Sequence, residues 1–316
     1  MRAVAVAAAV VVLACNGGAA AGDPPQRAAV KPLPAAAPPP APTFDGQRAW
    51  RDLERQVAFG PRPSGSPALQ QTRDFIVAEL KAAGIESRLQ PFTAKTPLGD
   101  VAMANVIATI PGARPERIAL ASHFDTKLFR DIRFVGASDG ASSTAALLEL
   151  GRALRGRQNA FTIELLFFDG EEAVVEWSRN NDNTYGSRHY VQAAQQAGTL
   201  RTLQALVLLD MIGDRNLVIR RDANSTPWLV DIVWSTAARL GHRGIFSNEL
   251  TSIDDDHVPF LRAGIPAVDI IDLDYPAWHT ADDTLENVSQ KSLQVVGDVV
   301  LAALPEIEKR LAASVR

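Results

Sequence analysis

Asp169-Gly170-Glu171-Glu172 places two carboxylates side by side directly after an apolar run, Ile163 to Phe168. The run is short and rich in branched and aromatic residues, so it reads as a buried strand. Ligands of open α/β sheets sit outside the carboxyl ends of strands. Neighbouring side chains project differently there, so one carboxylate can hold a metal ion while the other carries a proton. Taken alone, these residues also fit a solvated acidic turn.

The same pattern recurs. His123-Phe124-Asp125, Ser138-Asp139-Gly140, Asp210 and His279 each follow a predicted strand or the turn beyond it. A single histidine in such a place is more often a hydrogen-bonded structural residue than a ligand. A convergent set of histidines and carboxylates suits zinc, whose catalytic sites leave one coordination position open.

The elements that must position these residues alternate. Gln47 to Ala58 reads as a helix. Ser66-Pro67 supplies an N-cap and a first-turn proline for a second helix, with Leu69, Ile76 and Leu80 on one face and Gly84 at its end. Asn105 to Ile110, Arg117 to Ala121, Thr162 to Phe168, Ala205 to Met211 and Pro266 to Ile271 read as strands. Ser143 to Leu154, Arg188 to Gln196 and Pro227 to Leu240 read as helices. A last helix carries Leu293, Val296, Val300 and Leu304 on one stripe, interrupted or bent at Pro305. This order predicts a single α/β domain over residues 44–316, with a mostly parallel central sheet and helices on both faces.

Ahead of it, residues 1–22 predict a targeting segment: Arg2, an Ala/Val/Leu run, then Cys15, the only cysteine of the 316 residues. Val12-Leu13-Ala14-Cys15 resembles a bacterial lipobox, which would lipidate Cys15; ordinary secretory cleavage near Ala19-Ala20-Ala21 is the alternative. Both expect export, to the bacterial cell envelope as a lipoprotein or otherwise to the periplasm or medium. An internal disulfide is excluded. Residues 23–43 are rich in Pro and Ala and predict an extended tether. The net charge of −4 is mixed in sign and shows no basic run, which argues against nucleic acid as a partner.

Taken jointly, several motifs resemble the M28 zinc-peptidase superfamily, and within it the animal-type glutaminyl-peptide cyclotransferases. They are His123-Phe124-Asp125-Thr126-Lys127, Phe134-Val135-Gly136-Ala137-Ser138-Asp139, Phe167-Phe168-Asp169-Gly170-Glu171-Glu172-Ala173, Trp177-Ser178, Tyr185-Gly186-Ser187-Arg188, Leu209-Asp210-Met211-Ile212-Gly213, Asp255-Asp256-His257-Val258-Pro259-Phe260-Leu261 and Trp278-His279-Thr280. The resemblance implies one zinc ion per chain on Asp139, Glu172 and His279. It implies Glu171 as proton shuttle, with Asp210 and Asp255 in an acidic network around it. Trp177, Trp278, Tyr275, Asp254 and Lys127 would meet substrate. Tyr275 sits in a loop that is shorter by one residue than the family pattern, and Asp254 stands where animal enzymes tend to carry an amide. His123 and His257 would hold a second metal or support the first site.

Two readings of the chemistry remain. His123, Asp139 and Asp210 could hold a second zinc for a di-zinc aminopeptidase, which hydrolyses with a metal-bridging water. The long stretch from Glu172 to Gly186, carrying Trp177-Ser178, and the two tryptophans flanking the ligands resemble the cyclotransferases instead. A tight aromatic slot would fold N-terminal glutamine onto its own amine and exclude water. Taken without the motif, each tryptophan fits ordinary core packing. A zinc-binding surface lipoprotein without catalysis is a third, weaker reading. The partners expected are peptides or proteins with N-terminal glutamine, with glutamate as a further candidate, and a membrane only through the N-terminal lipid. The chain is expected to act as a monomer.

Overall fold

The computed structural model describes residues 42–177 and 181–314, together with Ala7, residues 9–15 and Gly17. The leader and tether expected over 1–22 and 23–43, and Ser178, lie largely or wholly outside the described residues. Residues Ala41–Arg316 form a compact unit. Among the described residues no helix is long and apolar enough to cross a membrane.

Helix α1 spans Gly46–Ala58 and is capped by Asp45, whose carboxylate accepts the Arg48 N–H at 3.0 Å. Helix α2 spans Pro67–Ala82; its Ser66 hydroxyl accepts the Leu69 N–H at 3.1 Å, as the Ser-Pro pair predicts. Strands β1 (Glu86–Thr96) and β2 (Gly99–Ile110) form an antiparallel hairpin. Then follow β3 (Arg114–His123), α3 (Ser143–Arg155), β4 (Phe161–Phe168), α4 (Tyr185–Gln196) and β5 (Leu203–Asp210). The remainder is β6 (Ile219–Asp222), α5 (Pro227–Arg239), β7 (Phe246–Thr251), α6 (Val258–Arg262), β8 (Ala267–Ile271) and α7 (Gln290–Ser314), which continues through Pro305.

The main sheet runs β1-β2-β4-β3-β5-β8. Its four strands from β4 to β8 are parallel, while β2 meets β4 antiparallel, so the predicted parallel sheet carries an antiparallel hairpin on one edge. Strand β1 is mostly exposed and offers no apolar run, which is why the sequence does not announce it. The short parallel pair β6–β7 stands apart from this sheet.

Alternation along the strands divides the core. Ile118, Leu120, Ile163, Leu165, Phe167, Val207 and Leu209 face α1, α3, α5 and α7. Ala119, Ala121, Leu166, Phe168, Leu206 and Leu208 face Tyr190, Val191 and Ala194 of α4 and Phe260 of α6. Each strand is therefore buried on both sides, which is the origin of its continuous apolar run. Register then aligns the strand ends: His123 pairs with Phe168, and Asp210 with Ile271. The polar residues that follow are delivered to one edge of the sheet.

Candidate active site

The two glutamates are held from behind. Past β4 the chain turns at Gly170, whose φ of 75° belongs to the left-handed region and whose missing Cβ would meet the Met103 sulfur at 2.5 Å. Asp169 points back into the protein, 2.5 Å from the Arg73 guanidinium and accepting the Ala104 N–H at 2.8 Å. The Asp125 carboxylate, from the loop after β3, accepts the backbone N–H of Glu171 at 3.1 Å and of Glu172 at 3.2 Å. One buried acid thus fixes the peptides of both glutamates, and their side chains diverge.

Glu172 joins Asp139 and His279. His279 Nε2 lies 3.1 Å from Glu172 Oε1 and 3.4 Å from Asp139 Oδ2. One donor atom from each of the three falls within 4.8 Å of the others. Asp139 sits in an irregular turn before α3, where Gly140 (φ 84°) brings its backbone against the Asp125 carbonyl; a Cβ would lie 2.6 Å from that oxygen. The Asp283 carboxylate holds this turn, accepting the N–H of Ser138 at 2.7 Å and of Asp139 at 3.1 Å, and the Tyr275 hydroxyl at 2.9 Å. His279 adopts φ 55°, an uncommon conformation for a side-chain-bearing residue that turns its ring toward the two acids.

This trio fits a divalent cation. Asp139 Oδ2 is buried and makes no hydrogen bond among the protein groups. Burial, then the Asp139 charge, pushes Glu172 up to about 7. Burial opposes charge on His279, yet Asp139 and Glu172 outweigh it and raise the imidazole to about 9. Two carboxylates and an imidazole converge on one point, and His279 is only partly buried against the cavity. That is the donor set and the open side that a catalytic cation requires.

Glu171 faces other groups. Its carboxylate is 3.9 Å from His123 Nδ1, and His123 Nε2 lies 2.9 Å from Asp210 Oδ1 and 3.3 Å from Asp139 Oδ1. Burial raises Glu171 well above the ordinary carboxylate range; His123 pulls it back, and Glu172, Asp255 and Asp256 push it up again. Burial, then Asp210, brings Asp255 to about 6. A buried carboxyl whose pKa is raised by surrounding acids accepts a proton more readily than an ordinary carboxylate. His123, Asp139 and Asp210 form a second convergent group.

Asp139, Glu171, Glu172, Asp210, Asp255 and His279 line a cavity of about 530 Å³, with His123 buried behind them. Trp177 and Trp278 both line it, and the Trp278 ring stacks on His279 with centroids 4.4 Å apart. The segment carrying Trp177 is tied by Asp182, which accepts the N–H groups of Val174, Val175 and Glu176 and the Tyr185 hydroxyl. Lys127 lines the cavity as well, its ammonium 2.8 Å from the Ala173 carbonyl and 3.9 Å from Glu172.

The structure thus brings Asp139, Glu171, Glu172, Asp210, Asp255, Trp177, Trp278, His279, Lys127 and Asp254 to one cavity. Tyr275, expected to meet substrate, does not line it; the ring is 3 % exposed and its hydroxyl secures Asp283. His257 is not in the His123 group; it is buried 3.1 Å from Asp222 and 3.7 Å from Asp269, and converges with Asp269 on Asp255, which lines the cavity. Sequence reasoning missed Asp283 and Asp182, which do not line the cavity but fix the backbone of residues that do. The only sequence signal for Asp283 is an acid pair, Asp282-Asp283, following His279 within a turn.

The sequence profile of Peptidase family M28 matches residues 105–304. A glutaminyl-peptide cyclotransferase-like protein of Mus musculus is 34% identical over 292 residues, covering 83% of this chain and 76% of its own length. Among solved structures, the glutaminyl cyclase of an Acidobacteriales bacterium superposes with a TM-score of 0.82 at 41% identity, covering 89% of this chain and 100% of its own. A structure described as a leucine aminopeptidase precursor from Bacteroides thetaiotaomicron gives a TM-score of 0.78 at 27% identity, covering 84% and 98%.

Proposed function

The chain belongs to peptidase family M28, among its glutaminyl-peptide cyclotransferases, and we propose that it converts the N-terminal glutamine of peptides to pyroglutamate with release of ammonia. One observation carries the reading. The Asp139, Glu172 and His279 donors and the raised carboxyl of Glu171 share a single cavity with two tryptophans.

Asp139, Glu172 and His279 would hold one zinc ion, which when bound supplies a Lewis acid for the γ-carbonyl of the substrate. Trp177 and Trp278, which both line the cavity, would hold the glutamine side chain folded back on its own α-amine. Such orientation makes an intramolecular attack efficient, and the aromatic walls exclude the water that would hydrolyse the amide. The α-amine, with an ordinary pKa of about 7.7–8.0, needs little help to lose a proton. Glu171 takes that proton as the amine nitrogen bonds to the amide carbon. It then gives the proton to the departing amide nitrogen as that carbon–nitrogen bond breaks, and ammonia leaves. Asp255 adds to the charge that raises the Glu171 carboxyl and makes it a better proton acceptor, and Asp210 holds His123 beside it.

We further propose export with lipidation of Cys15, which is exposed; the tether over 23–43 would separate that anchor from the catalytic domain. Mass spectrometry of a glutamine-initiated peptide after incubation tests the activity. Loss of one ammonia with the chain intact is expected; release of the first residue would mean that the second group, His123, Asp139 and Asp210, serves a hydrolytic metal pair instead.

A further inference from the structure

If the substrate is a peptide whose N-terminal glutamine fills the inner slot, the reading on which this inference rests, then the following residues leave through the mouth of the cavity. That mouth carries an exposed carboxylate. Asp254 and Asp255 are consecutive and both line the cavity, yet Asp255 is 3 % exposed while Asp254 stands in solvent. The backbone therefore turns one carboxylate to the chemistry and the other to the exit. Asp254 makes no hydrogen bond or ion pair with any described residue. The basic residues lining the cavity, among the described residues, are His279 and Lys127. Both are engaged inward, His279 with Asp139 and Glu172, Lys127 with the Ala173 carbonyl and Glu172.

The apolar part of the rim is equally specific. Val175 is 54 %, Trp278 42 % and Leu273 37 % exposed, and all three line the cavity. A surface of exposed hydrocarbon beside an unpaired carboxylate matches the lysine or arginine side chain, which lays its stem on apolar surface and keeps its charge in water. We propose that Asp254 makes this enzyme selective for glutamine-initiated peptides carrying Lys or Arg in the two positions after the glutamine.

The test uses the full-length zinc enzyme and three peptide amides, Gln-Xaa-Xaa-Ala with Xaa as Lys, Leu or Glu, followed by ammonia release. An exposed ion pair is worth a modest factor, so kcat/KM should be about 2–5-fold higher for Lys than for Leu, and Glu should be poorer still. The preference should shrink in about 0.5 M NaCl, because an exposed charge is screened. Within the Asp254→Asn enzyme the Lys-to-Glu ratio should fall, and within Asp254→Lys it should invert. Ratios taken within each enzyme cancel any general loss of activity. Ammonia released equally from all three peptides by the native enzyme would overturn this inference alone, as would a Lys-to-Glu ratio unchanged in both variants. Absence of ammonia from every peptide would overturn the cyclotransferase reading and this inference with it.

Discussion

Asp125 and Glu171 are joined by a hydrogen bond in which the buried carboxylate accepts the glutamate's own backbone N–H at 3.1 Å. The other oxygen of Asp125 accepts the N–H of Glu172 at 3.2 Å. The proposed proton carrier and the proposed metal ligand therefore hang from one anchor. Asp125→Ala should lower metal affinity and turnover together, by about 10–100-fold, the usual cost of removing a residue that orients ligands. Isothermal titration with zinc, alongside turnover, checks this. Weakened turnover at unchanged zinc affinity would mean that Asp125 aligns only Glu171.

The cation site itself predicts joint loss. Ala at Asp139, Glu172 or His279 should leave the folded protein without tightly bound zinc and without activity. Elemental analysis should give one zinc per native chain. Two per chain, both required for turnover, would transfer the chemistry to a metal pair.

Much of this arrangement is legible in the sequence because the four parallel strands are buried on both faces. Their continuous apolar runs end abruptly in His123, Asp169, Asp210 and the loop leading to His279, so strand ends and chemistry can be read together. Among the parts that are not legible, three have a clear physical reason. Strand β1 is held by backbone pairing to β2 and is mostly exposed, so no periodic signal marks it. Asp283 and Asp182 act on backbone N–H groups that sequence cannot locate. Tyr275 stands three positions before Trp278 and reads as a pocket aromatic until the turn is folded, which directs its hydroxyl to Asp283 and leaves Trp177 and Trp278 as the tryptophans of the cavity.

The acidic network predicts a pH effect of definite sign. Glu171 must be ionised to accept the amine proton, so activity should rise with pH through its pKa. Asp255 is one of the negative neighbours that push that pKa up. Asp255→Asn removes the charge and should move the acid limb of kcat/KM to lower pH, along with some loss of turnover. The size of the shift belongs to the coupled acids jointly. A pH profile of the variant with its acid limb unmoved, or moved to higher pH, would contradict this role.

Lipidation at Cys15 predicts membrane association that is lost in Cys15→Ser while cyclotransferase activity is kept. The bacterial modification adds several acyl chains, enough for stable anchoring where a single chain is not. Fractionation of native and variant chains in a bacterial host reads the outcome. Identical fractionation would refute the anchor.

The division of labour between the adjacent glutamates is the centre of the account, and zinc content measured together with turnover on Glu171→Gln and Glu172→Gln tests it most directly. Glu171→Gln keeps the size of the side chain but cannot accept a proton. It should retain zinc and lose about 10²–10⁴-fold in turnover, the range for loss of a general base. Glu172→Gln replaces a charged ligand by a neutral amide and should lose zinc. Loss of zinc from Glu171→Gln with zinc retained by Glu172→Gln would contradict the assignment and reverse the two roles.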